Sequence, residues 1–122
     1  MAEAVNWQRF EGGLIFLSSA VLYWHYAEMP WWAALLIFFA PDLSFIAYMF
    51  GPRVGAFLYN AVHIYAFGAV VAVLGAIWSA PLLVGIGILW LAHSGFDRLL
   101  GYGLKSPAGF TITHLGRIGK QP

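Results

Sequence analysis

The stretch "WLAHSGFDRLLGYGLK", Trp90 to Lys105, ends the longest uncharged part of the chain. From Val54 through Phe96 there is no Asp, Glu, Lys or Arg; then Asp97 and Arg98 follow one helical turn after His93. One crossing of a bilayer takes about 20 mostly apolar helical residues, so this run is two crossings rather than one. "SAP" at 79–81 is the natural break between them. The polar group then falls on the last turns of the second helix, either at its exit into water or held inside the membrane for a purpose.

Working outward, the whole chain has this character. It is 61% hydrophobic and 9% charged over 122 residues, whereas soluble domains run near about 25% charged. That composition belongs to an integral membrane protein. A formal net charge of +1 leaves no basic stripe to displace counterions from phosphates, which excludes nucleic acid as a partner. With no cysteine, disulfides, thiolate metal sites and thiol catalysis are excluded as well. A cleavable leader is not expected, because Glu3 and Glu11 precede the first apolar run and its end, "LYWHYAEMP", is bulky.

Four segments are long and apolar enough to be spans: about 12–27, 31–50, 55–78 and 81–101. The runs are continuous rather than alternating, which excludes barrel strands. The connections "EMP", "GPR" and "SAP" are so short that sequence neighbours must be antiparallel. The expected fold is therefore all-α: a compact antiparallel bundle of four transmembrane helices, the second kinked at Pro41. Residues 1–104 form the membrane domain, and 105–122 form a glycine-rich cytoplasmic tail on the membrane surface, part of the same domain. Gly68, Ala72, Gly75, Gly85 and Gly87 let helices approach closely. Arg9, Arg53, Arg98, Lys105, Arg117 and Lys120 all fall on one side of such a bundle, while the other side carries Glu28. Positive short loops stay cytoplasmic, so both termini are expected in the cytoplasm of a bacterial plasma membrane. His25, between Trp24 and Tyr26, is an interfacial residue of the far side, and Glu11 with Arg9 is the water-facing start of the first span.

A helix rises 1.5 Å per residue, which converts sequence position into depth. Asp42 lies eight residues before Phe50, His63 eight after Gly55, and His93 eight before Gly101. Each is thus roughly 12 Å from the cytoplasmic end of its own span. Asn60 and Asp97 are about a turn nearer the cytoplasm. His93 and Asp97 share a helix face, as do Asn60 and His63. Ionisable groups at that depth cost at least a few kcal/mol each, so they face the bundle interior and pair with one another.

Four chemistries fit such a cluster. It is a structural hydrogen-bond network, a divalent-metal site for zinc, iron or manganese, a proton or ion pathway, or a haem site. In the metal reading Asp42, His63 and His93 are ligands, and Asp97 is a fourth ligand or the group that orients one. Asn60 and Arg98 position substrate, with Arg53, Lys105, His114 and Arg117 at the cytoplasmic mouth. His114 and Arg117 are suited to an anionic lipid headgroup or a substrate phosphate.

"APDLS" at 40–44, "GPRVGAFLYNAVH" at 51–63, "WLAHSGFDRLLGYGLK" at 90–105 and "THLGRIG" at 113–119 resemble the small bacterial membrane-protein family catalogued as domain of unknown function 4260. The resemblance covers nearly the whole chain and implies a single-domain, multi-pass membrane protein. The positions matching its motifs are Asp42, Arg53, Asn60, His63, His93, Asp97, Arg98, Lys105 and His114. It brings no activity with it. The expectation is a small membrane metalloprotein acting on a membrane-proximal or lipid-soluble substrate. Its competitors are an accessory subunit or assembly factor of a larger membrane complex, and a homo-oligomeric proton or ion transporter. Between Ile64 and Trp78, and again between Pro81 and Ala92, the only polar side chains are those of Tyr65, Trp78 and Trp90. A single copy therefore offers no polar route to the far side.

Overall fold

A computed structural model describes residues 2–26 and 28–118; the expected end of the first span at Ala27 and the cation Lys120 lie outside them. The order is α1 (Ala2–Tyr26), α2 (Trp31–Phe39), a 3-10 segment (Ala40–Phe50), α3 (Pro52–His63), α4 (Tyr65–Ile77), α5 (Pro81–Leu100), then β1 (Lys105–Ser106), β2 (Gly109–Thr113) and β3 (Gly116–Arg117). Two helical stretches, Trp31–Phe50 and Pro81–Leu100, are long and apolar enough to cross a membrane, and a third is added if α3 and α4 count as one bent span. Large apolar side chains such as Leu17, Leu36, Met49, Phe57 and Ile77 are exposed on the outer faces of the helices, the inverse of a water-soluble surface.

α5 is the centre of the molecule. It begins at Pro81, where a missing N–H costs nothing, and ends at Gly101 in a left-handed conformation with φ 94°. There the Gly101 N–H donates to the Arg98 carbonyl and the Tyr102 N–H to the Asp97 carbonyl, the paired bonds of a Schellman stop. α1 packs on one side of α5 and α4 on another, and both crossings are made by glycine. A side chain on Gly95 would strike the Gly12 carbonyl and the Phe16 N–H; one on Gly87 would strike the backbone of Ala72 and Gly68. Contacts that run from Arg9 to Leu99 and from Phe16 to Phe96, or from Gly68 to Leu91 and Gly75 to Val84, make both neighbours antiparallel to α5.

Three features differ from the sequence reading. The stretch 31–50 changes helix type at Ala40, one residue before Pro41, and continues as eleven residues of 3-10 helix. The proline supplies no N–H to the preceding turn, and a tighter winding follows. The stretch 55–78 is not one helix: it breaks at Ile64, whose backbone is extended, and bends by 49°. Finally, the all-α expectation omits a sheet. Residues 105–117 form three short antiparallel strands in the order β1-β2-β3, and β1 and β2 pack against α3.

Because backbone atoms lie where a Cβ would go, Gly95→Leu is expected to destabilise the protein by about 1–3 kcal/mol or more. Gly109→Ala, on the open face of β2, is expected to be close to neutral. Denaturant titration in detergent checks both.

Candidate metal centre

The break at Ile64 builds the site. Ending α3 at His63 frees the last carbonyls of that helix among apolar side chains, where each must find a donor. α5 supplies two: Trp90 Nε1 donates to the Val62 carbonyl at 2.7 Å, and the Arg98 guanidinium donates to the His63 carbonyl and, at 2.8 Å, to the Tyr102 carbonyl. Arg98 is buried and committed to backbone oxygens. It holds the break and the end of α5 together, a different task from the substrate positioning expected of it.

His63 is thereby fixed in place. Its Nδ1 lies 2.7 Å from the Tyr59 carbonyl, and a carbonyl only accepts, so the proton is on Nδ1. The Tyr59 ring stacks on the imidazole at 3.7 Å, and Phe45 stacks on Tyr59 at 5.3 Å. His63 Nε2 therefore points inward with its lone pair free unless a second proton is added. Around it stand Asp42 Oδ1 at 3.2 Å, His93 Nε2 at 3.2 Å and Asp97 Oδ2 at 3.6 Å. His93 Nε2 lies 3.1 Å from the same Asp42 oxygen and 3.4 Å from Asp97 Oδ2. All four ligand atoms lie within 4.8 Å of one another. His93 has no hydrogen-bond partner on Nδ1 among the described residues; Phe38 and Phe39, with ring centroids at 5.3 and 6.4 Å, hold its ring by packing.

The cluster is closed on one side and open on the other. The side chains of His63 and His93 are 0% and 2% exposed, those of Asp97 and Asp42 13% and 36%. The carboxylate edge faces a cavity of about 310 Å³ lined by Asp42, Phe45, Tyr59, Asp97, Tyr102, Lys105, Phe110 and Ile118. The small sheet supplies Lys105 and Phe110, and Ile118 follows its last strand. Asn60 anchors it: its Nδ2 donates to the Lys105 carbonyl at 2.8 Å, and its Oδ1 accepts the Lys105 N–H at 2.6 Å. The amide thus pairs with one residue of β1 as a neighbouring strand would. Burial pushes the Lys105 ammonium down to about 8, with Asp97 and Asp42 opposing the shift.

The remaining candidates lie elsewhere. His114 is tied into the tail, its Nδ1 accepting the Leu104 N–H at 2.8 Å, and burial followed by the Arg98 charge lowers its pKa. Arg53 is exposed in the first turn of α3, and Arg117 is exposed on β3 opposite Ile112. None of these three lines the cavity. Tyr59, Tyr102 and Phe110 line the cavity but were not among the site residues expected from sequence. Tyr59 sits one turn before His63, and that spacing was the available signal.

The fold and the cluster define a class: a small, mostly helical protein with membrane-length apolar helices and a cluster of two buried histidines and two partly exposed carboxylates. The family model described as "Domain of unknown function (DUF4260)" matches residues 5–118, and the chain belongs to that family. Neither the curated proteins nor the solved structures returned a match.

Asn60→Leu is expected to leave the Lys105 N–H and carbonyl without partners, at about 1–3 kcal/mol. The sheet should come away from α3 and Ser106–Ala108 should become cleavable. Limited proteolysis of the purified variant beside the wild type measures this.

Proposed function

We propose that this is a small integral membrane metalloprotein whose Asp42, His63, His93 and Asp97 hold one divalent ion at the cytoplasmic side of the bilayer. The observation that carries the reading is the shape of the cluster. A tetrahedron has edges about 1.63 times its centre-to-vertex distance, so zinc bound at about 2.0–2.2 Å requires ligand atoms about 3.3–3.6 Å apart. The five separations given above run from 3.1 to 3.6 Å. Four electron-rich atoms this close need positive charge among them. A proton joins two atoms along a line, whereas one ion satisfies all four from a single point. The Tyr59 carbonyl on His63 Nδ1 is the outer hydrogen bond that metal-bound histidines use to fix tautomer and direction.

Zinc held by all four groups is coordinatively closed; iron or manganese, which take five or six ligands, keeps positions open. The cavity beside the two carboxylates supports an accessible metal acting as a Lewis acid, or on bound water, toward a membrane-proximal or lipid-soluble substrate. The close-packed glycines lie inside the helix crossings, which favours this reading over that of an accessory subunit presenting small residues outward. The bundle is taken to cross a bacterial plasma membrane four times with both termini in the cytoplasm, on the strength of its one-sided cations.

Elemental analysis of protein purified without a metal-affinity tag is expected to find near-stoichiometric zinc, iron or manganese. The metal should be lost in His63→Ala and Asp42→Asn, and reporter fusions at both termini should read as cytoplasmic. A metal-free wild type that stays empty after reloading would leave a structural or proton-sharing network in its place.

A further inference from the structure

Lys105 is a buried cation that the metal reading leaves unused. The residue is 4% exposed, and its ammonium lies over the Phe110 ring at 3.8 Å and the Tyr59 ring at 5.0 Å. Among the described residues no carboxylate is within ion-pair distance of it; the four ion pairs present all belong to the cluster of Asp42, Asp97, His63 and His93. Two aromatic faces attract an ammonium through their ring quadrupoles. They accept none of its three N–H bonds in the ordinary sense, so those donors are left to the cavity it lines. Those donors border the same cavity as Asp42 and Asp97. Asn60 fixes the Lys105 backbone on both sides, so the side chain is presented to the cavity by a rigid mount.

Charge decides what fits. Of the groups lining the cavity, two carboxylates and one ammonium, together with one divalent ion, sum to a single positive charge, which matches a monoanion. The buried Arg98 guanidinium behind them adds to the attraction for an anion. The other walls, Phe45, Phe110 and Ile118, suit an apolar body attached to it. We infer that the cavity takes an amphiphilic monoanion, a carboxylate or phosphodiester group on an apolar chain, with one oxygen toward the metal and another held by Lys105. This rests on the metal reading above for the first oxygen and on Lys105 alone for the second. A soluble fatty acid and a membrane phospholipid both present this chemistry.

The test is calorimetric titration of the metal-loaded protein with octanoate, with octanol as the uncharged control and dihexanoyl phosphatidylglycerol as the lipid arm. Octanoate is expected to bind saturably where octanol does not. Lys105→Gln should weaken it about 10-fold or more with metal content unchanged, and Lys105→Arg should restore most of it. Displacement of octanoate by the phospholipid assigns the lipid source, and its failure assigns free carboxylic acids. Equal binding of octanoate to wild type and a metal-replete Lys105→Gln overturns the inference while leaving the metal centre standing. Octanoate binding that depends on Lys105 in a protein that takes up no metal does the reverse.

Discussion

Four lone-pair-bearing atoms, from Asp42, His63, His93 and Asp97, meet within 4.8 Å of one another inside a layer of apolar helices. Such a meeting needs a proton or an ion among the four atoms, and the nearby irregularities position the groups for it. The 3-10 winding brings Asp42 inward from the start of its segment. The break at Ile64 stops α3 at His63, and α5 carries His93 and Asp97 on one face four residues apart. Breaking a helix at this depth would be costly if its carbonyls were left bare. Trp90 and Arg98 remove that cost from the same helix that delivers two of the ligands. Site and scaffold are therefore one construction, centred on α5.

The sheet completes it from the end of α5. Phe110 rests against Phe45 and Tyr48 at 5.3 and 5.2 Å, and Asn60 holds Lys105 by its backbone. Three short strands are marginal on their own. Packed on α3, they form a wall of the cavity and bring the one ammonium to it.

Much of this was readable from residues alone, for a simple reason. Helical rise is constant, so counting from the span ends put Asp42, His63 and His93 at one level, and they do meet. The i, i+4 spacing likewise put Asp97 beside His93. The break at Ile64 was invisible because "VHIYAF" contains neither proline nor glycine. It is imposed from outside, by donors on α5 that only the folded arrangement brings near. The bonds of Arg98 were invisible for the same reason: a lone arginine after an apolar run looks available, and its carbonyl partner on α3 exists only once that helix has ended early. The sheet had a local signal that was passed over. "GFTIT" alternates apolar and β-branched residues after the turn "SPA", a hairpin pattern hidden by the number of glycines around it.

An ion among the four groups is the central claim, and X-ray absorption at the edge of the metal that copurifies with the protein tests it most directly. It predicts a shell of nitrogen and oxygen neighbours, at about 2.0–2.2 Å if the metal is zinc, with outer scattering from two imidazoles that falls to one in His93→Ala. A metal surrounded only by light oxygen neighbours, with no imidazole scattering, would mean that the ion is adventitious and that Asp42, His63, His93 and Asp97 meet for another reason.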